Sequence, residues 1–292
     1  MYNEIDSNKR KSYLLIALFI GLLALVGYIA GELADINGVA GLVIALFVSI
    51  SWTIISWFGG SKLTLFSVGA QELKDRSQNT ELWNLVENLA ITAGIPKPRI
   101  FIVTDPSPNA FATGRDPQHA TVTVTTGLLQ LLNRTELEGV LAHEISHIKN
   151  YDIRIMLLAS VLVGSIVFIG NMIFRFGLFR GRNKNNIIFL ILGLLFIFLS
   201  PLIGELIRLA ISRKREYLAD ASGALLTRYP EGLASALEKI RQNAKPMKIS
   251  SITTNHLWIS DPTTKSLSDT IEHFWSTHPP IKKRISILRN MM

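Results

Sequence analysis

The stretch L-A-H-E-I-S-H-I-K-N-Y-D, residues 141–152, decides how the rest of the chain is read, because it carries His143, Glu144 and His147 in an H-E-x-x-H pattern. Side chains four residues apart on an α-helix lie one above the other. The imidazoles of His143 and His147 can therefore grip one metal ion from the same side. Glu144 sits beside them, where it can take a proton from a water that the metal has made far more acidic than bulk water. This chemistry needs a helix, and the neighbouring residues predict one. Thr135 and Glu138 read as a capping box, and Leu137, Val140, Leu141, Ile145 and Ile148 follow at apolar helical spacing.

Composition narrows the chemistry further. The chain has no cysteine among its 292 residues, which excludes a disulfide framework, a thiolate metal site and a cysteine nucleophile. Any metal must be held by histidine and carboxylate. A net charge of +8 is not accompanied by a basic-aromatic motif, so no nucleic-acid partner is expected, and anionic lipid headgroups are the simpler counterpart. A hydrophobic content of 48% is high for a soluble protein and directs attention to membrane segments.

Such segments are found on both sides of the H-E-x-x-H stretch. Residues 13–31 and 39–58 are each long and apolar enough to cross a bilayer core as a helix. Lys9, Arg10 and Lys11 precede the first run, so the positive-inside rule puts the N-terminal residues 1–12 in the cytoplasm and returns the chain there after Phe58. The length of the first run, with no convincing cleavage site after it, reads as a retained anchor rather than a signal peptide. A hydrophobic hairpin is expected over residues 151–211, from runs at 153–174 and 187–211. The basic loop between them, with Arg175, Arg180, Arg182 and Lys184, leaves open a fully spanning pair or a re-entrant hairpin. The two remaining stretches, 59–150 and 212–292, have soluble composition and would be the halves of one catalytic domain. In the first, residues 79–93 predict an amphipathic helix, and residues 99–103 and 120–126 predict strands. In the second, helices are expected at 213–226, 230–243 and 281–289, with an irregular stretch at 246–262.

A catalytic metal needs a third protein ligand and an open position. Glu216 and Asp220, four apart on a predicted helix, fit a ligand and a carboxylate that fixes the outer nitrogen of a ligand histidine. The competing reading pairs both acids with Arg213, Lys214 and Arg215. Asp152 could serve His147 in the same way or simply mark the start of the next apolar helix, and Glu205 reads as a helix-packing or lipid-boundary residue. His119, His256 and His273 lack partner patterns and read as surface or satisfied histidines. His278, stiffened by Pro279 and Pro280, could donate to the oxyanion formed when water attacks a peptide carbonyl. Asn109, Ala110, Phe111 and Ala112 are the candidate edge strand for holding an extended peptide by backbone pairing, against the alternative of a loop rich in turn residues.

With H-E-I-S-H, N-A-F-A-T-G, R-E-Y-L-A-D and the His278–Pro279 pair occurring among two pairs of apolar runs, the chain resembles the HtpX-type membrane zinc metalloproteases, which are related to the prenyl-protein (CAAX) endoprotease group. The resemblance implies a mainly α integral membrane fold. It adds an α+β gluzincin-type domain with a small sheet, facing the cytoplasm of a bacterial inner membrane. It also implies one zinc ion per chain, held by His143, His147 and Glu216 with Glu144 as the catalytic residue. Endopeptidase action on misfolded or damaged membrane proteins, and a link to stress, follow from the resemblance alone. Two other readings are a prenyl-protein-type processing protease and a non-enzymatic membrane scaffold or transporter with a structural zinc. Three protein ligands beside a glutamate argue against the last, since structural zinc usually fills all four positions with protein.

Overall fold

The computed structural model describes residues 2–33, 37–179, 193, 213–247, 254–260 and 279–291. The second run of the hydrophobic hairpin, apart from Gly193, lies outside these residues, as do Glu205, His273 and His278. The chain divides into two compact units, one built from residues 1–8, 61–157 and 211–292, the other from residues 9–60 and 158–210.

Among the described residues, three helices are long and apolar enough to cross a membrane by length and composition: α1 (Tyr2–Leu33), α2 (Gly38–Ser67) and α6 (Asp152–Phe179). Helix α2 continues well past the apolar run at 39–58. In the second unit Phe19, Leu23 and Val26 of α1 pack on Leu158, Leu162 and Ile166 of α6. The indole N–H of Trp52 on α2 donates to the Ser165 hydroxyl on α6, which satisfies a polar group that hydrocarbon would leave stranded. Much of α2 exposes large apolar side chains, among them Val43, Ile44, Phe47, Ile54 and Phe58. Water would not tolerate that surface, and acyl chains would.

In the first unit a four-stranded sheet runs in the order β1-β2-β4-β3, formed by β1 (Gln71–Glu72), β2 (Arg99–Val103), β3 (Ala110–Thr113) and β4 (Thr121–Thr125). Strands β2 and β4 are parallel, and β3 lies antiparallel to β4 at the edge. The candidate edge strand is thus a strand at a sheet edge, beginning one residue later than expected. Helix α3 (Thr80–Ala93) is capped by the Asn79 side chain and closes at Gly94. A short α4 (Thr126–Leu131) leads into α5 (Arg134–Lys149), which carries the H-E-x-x-H residues.

The start of α5 differs from the sequence expectation. The capping box is Asn133 and Glu136, not Thr135 and Glu138: Asn133 Oδ1 accepts from the Glu136 N–H at 3.0 Å, and Glu136 Oε2 accepts from the Asn133 N–H at 2.9 Å. Thr135 sits inside the first turn and donates its hydroxyl to Asn133 Oδ1. The reason is tertiary. The Glu136 carboxylate also accepts from Ser235 Oγ and Lys239 Nζ, both at 2.7 Å. These lie on α8 (Pro230–Gln242), so one carboxylate caps α5 and docks α8 on it.

Helices α7 (Arg213–Thr227), α8 and α9 (Ile281–Arg289) complete the unit. Leu137, Val140, Leu141 and Ile145 of α5 share a core with Val122 and Val124 of the sheet and with Leu233, Leu237 and Ile240 of α8. Helix α5 is therefore buried along nearly its whole length. The two helices approach closely because position 139 is glycine: a Cβ there would lie 2.6 Å from the Leu233 backbone nitrogen. Gly139→Ala is accordingly expected to force α8 outward and lower stability by about 1–3 kcal/mol. Chemical unfolding of the detergent-solubilised variant checks this, with an unshifted midpoint as the contrary result.

Candidate metal centre

Helix α5 offers His143 and His147 on one face, and α7 brings Glu216 and Asp220 to the same place. Gly223 permits the approach of α7, since a Cβ there would press on the His143 backbone nitrogen at 3.0 Å. The two imidazoles meet edge to face with centroids 4.6 Å apart, and their Nε2 atoms are 3.1 Å from each other. Glu216 completes the cluster, with Oε2 3.8 Å from His143 Nε2 and Oε1 3.5 Å from His147 Nε2. One donor atom from each residue falls within 4.8 Å of the others, and all three residues are buried.

The outer nitrogens are held just as firmly. His143 Nδ1 lies 3.0 Å from Asp220 Oδ1, and His147 Nδ1 lies 2.9 Å from Asp152 Oδ2. With both Nδ1–H groups donated to carboxylates, both Nε2 atoms present lone pairs to the same point. Two acceptors facing each other in a dry interior repel unless a cation or proton lies between them. Burial alone would disfavour charge on His147. The Asp152 carboxylate on its Nδ1 and the charges of Glu216 and Glu144 outweigh that, and its pKa is pushed up to about 9. Surroundings that draw a proton onto a buried imidazole suit a metal cation. Two neutral imidazoles and one carboxylate are the donor set of catalytic zinc.

The structure separates the alternatives for the acidic residues. Glu216 and Asp220 are both buried, so neither lies at the surface where a solvated pair with a basic neighbour would form. Asp220 forms a forked pair with Arg284 of α9, at 2.9 Å from Nε and 2.7 Å from Nη2. Its carboxyl must overcome burial, and the Arg284 guanidinium and the His143 ring hold it at about 2. Arg215 instead lies 3.7 Å from Asp152. Asp152 both opens α6 and holds His147, so its two sequence readings hold together. Glu144 is buried, and its charge is felt at both His147 and Arg284. His119 is exposed and paired with Asp116, as a satisfied histidine. His256 and His273 give no side chain among the described residues, and His278 lies outside them.

Arg284 is the residue that the sequence reading missed. Lys282, Lys283 and Arg289 make its helix basic, yet Arg284 is fully buried among the site carboxylates, and among the described residues its Nη1 has no hydrogen-bond partner. A signal was available: Arg284 lies on the same face as Ile281 and Leu288, where a surface arginine does not belong.

Strand β3 packs against α5, with its outer edge partly taken. The bond from the Thr125 N–H to the Asn109 carbonyl sets a register in which Ala110 and Ala112 turn their backbone groups away from β4. The Ala110 carbonyl accepts from the Ile259 N–H at 2.9 Å, and the Ala110 N–H bonds to Asn109 Oδ1. The Asn109 side chain grips the backbone of Ser260 in both directions, and Phe111 stacks edge-on against Trp258. The outward N–H and C=O of Ala112 have no such partner among the described residues.

Comparison with known proteins identifies the family of the chain. The model of peptidase family M48 matches residues 76–292. A "Protease HtpX homolog" of Dictyoglomus turgidum is 46% identical over 99% of this chain and 94% of its own length. Proteins of the same name from Lactobacillus helveticus and Tropheryma whipplei are 43% and 42% identical, over all of this chain and 100% and 98% of theirs. The crystal structure of S. mikatae Ste24p shares the fold, with a TM-score of 0.54 at 20% identity, over 99% of this chain and 67% of that one. The chain belongs to peptidase family M48, as a membrane zinc metalloendopeptidase with bacterial relatives.

Proposed function

We propose that His143, His147 and Glu216 are the zinc ligands, that Glu144 is the general base, and that the substrates are extended segments of misfolded or damaged membrane proteins. The single observation carrying this reading is the convergence of the two Nε2 atoms and the Glu216 carboxylate, with both Nδ1 atoms tied to buried carboxylates. Bound there, zinc supplies a Lewis acid that acidifies water and polarises the scissile carbonyl. Glu144 receives the proton of the attacking water and hands it to the departing amine. Asp220 and Asp152 keep the imidazoles in the tautomer whose Nε2 is free to coordinate.

A substrate strand would pair with the outward N–H and C=O of Ala112, which narrows the stretch from Asn109 to Ala112 to its far end. Arg284 has two roles in this scheme. It neutralises Asp220 in the interior, and its Nη1, 3.9 Å from Glu216, is a donor for the developing oxyanion. His278 is a second such donor. It stands directly before Pro279 and the helix that delivers Arg284.

The N-terminal residues and the catalytic unit are assigned to the cytoplasm, on the strength of Lys9, Arg10 and Lys11 before the first apolar run, in a multi-pass arrangement in the cell membrane. Full-length likeness to proteins named HtpX homologues favours quality-control substrates. The prenyl-protein alternative has only a shared fold behind it.

Glu144→Gln is expected to retain one zinc per chain while cleavage of an unfolded membrane test protein falls at least about a hundredfold. Activity near wild type in purified, protease-free variant would remove Glu144 from its role. Glu216→Ala should lower bound zinc, read by metal analysis after dialysis, and an unchanged stoichiometry would move the third ligand elsewhere. Arg284→Met should lower stability by about 3–5 kcal/mol, because Asp220 then stays buried without its counter-charge. Adding Asp220→Asn should recover part of that loss in chemical unfolding.

A further inference from the structure

Asn8 belongs to no motif in the chain and precedes the first apolar run, yet it is completely buried. Its carboxamide is bonded at both ends. Nδ2 donates to the Asn150 carbonyl at 2.9 Å and to Asp152 Oδ1 at 2.7 Å, while Oδ1 accepts from Arg215 Nη1 at 3.0 Å. Those partners sit on three different ligand-bearing or ligand-holding elements. Asn150 is the C-cap of α5, Asp152 opens α6 and binds His147 Nδ1, and Arg215 directly precedes Glu216 on α7.

The turn between the first two is strained. Tyr151 has φ 60°, in the left-handed region that a bulky residue occupies at a cost of about 1–2 kcal/mol. This turn is what folds the chain back so that Asp152, five residues after His147, reaches its ring. Asn8 bonds to the residue on either side of Tyr151 and so holds the turn shut. The uncharged amide also fits between an anion and a cation. Arg215 Nε is 3.7 Å from the same Asp152 oxygen that accepts from Asn8, and a carboxylate in place of the amide would face both Asp152 and the Asn150 carbonyl with acceptors only.

We infer that Asn8 is a positioning residue for the metal centre: it fixes the Asp152 carboxylate on His147 and the start of α7 beside Glu216, so that the segment before the first apolar run belongs to the catalytic machinery. The inference rests on the ligand set proposed above. Its consequence is that zinc affinity depends on a side chain more than a hundred residues from any ligand.

The test uses the full chain in detergent micelles, with zinc affinity measured by competition against a chromophoric chelator and the visible spectrum of the cobalt-substituted protein as a second reading. Asn8→Ala is expected to weaken zinc binding about tenfold, the loss typical when a group that orients a metal ligand is removed. It should also alter the cobalt spectrum, which reports ligand geometry. Asn8→Asp should weaken binding more. Asp152→Asn should weaken it too, and adding Asn8→Ala to that variant should change little, because both act through one carboxylate. Zinc affinity within twofold of wild type in Asn8→Ala, or fully multiplicative losses in the double variant, would overturn the inference. If Asn8→Ala does not yield folded protein, Asn8→Ser, which keeps a small polar group in place, is judged by the same two readings. Unchanged zinc content in a Glu216→Ala variant with Asn8 intact would instead indict the ligand assignment, which separates the two failures.

Discussion

Two imidazole lone pairs that face each other across 3.1 Å of dry interior are tolerable only with positive charge between them, and the rest of the catalytic unit is arranged around that fact. Helix α5 is buried along nearly its whole length to hold the two rings still, and α7 brings a third negative donor to them. Each outer nitrogen is fixed by a carboxylate, and each of these is steadied in turn, Asp220 by Arg284 and Asp152 by Asn8 and Arg215. The interior therefore contains many acids and few compensating cations. A group of that kind is unstable when empty and stable around a divalent ion, which is how selectivity for a metal is built from ordinary side chains.

The core of this arrangement could be read from the sequence because its chemistry is local. His143, Glu144 and His147 fall within one helical turn, and Glu216 and Asp220 within another, so spacing alone places each set on one face. The cap of α5 could not be read in the same way. Asn133-x-x-Glu136 and Thr135-x-x-Glu138 are both acceptable boxes, and what decides between them is Ser235 and Lys239, about a hundred residues downstream. Arg284 was hidden by its charge, although its place on the apolar face of α9 was a usable sign. Asn8 had no sign at all. Its partners are 142, 144 and 207 residues away, and nothing in a local pattern records so distant a contact.

The sheet edge shows how fold and chemistry share the same atoms. Strand β3 has its inner side committed to β4, and the near part of its outer side to the chain's own Ile259 and Ser260. Among the described residues, the outer edge without a backbone partner is thereby shortened to the stretch around Ala112. Short, partly covered edges are also how sheets avoid indiscriminate pairing, so the same economy limits aggregation.

The order of the clustered site residues along the chain has a bearing on biogenesis. His143 and His147 leave the ribosome first, then the apolar stretch that starts with α6, and only afterwards Glu216 and Arg284. During synthesis the nascent polypeptide therefore holds an incomplete two-histidine site until its own hydrophobic segment has been made.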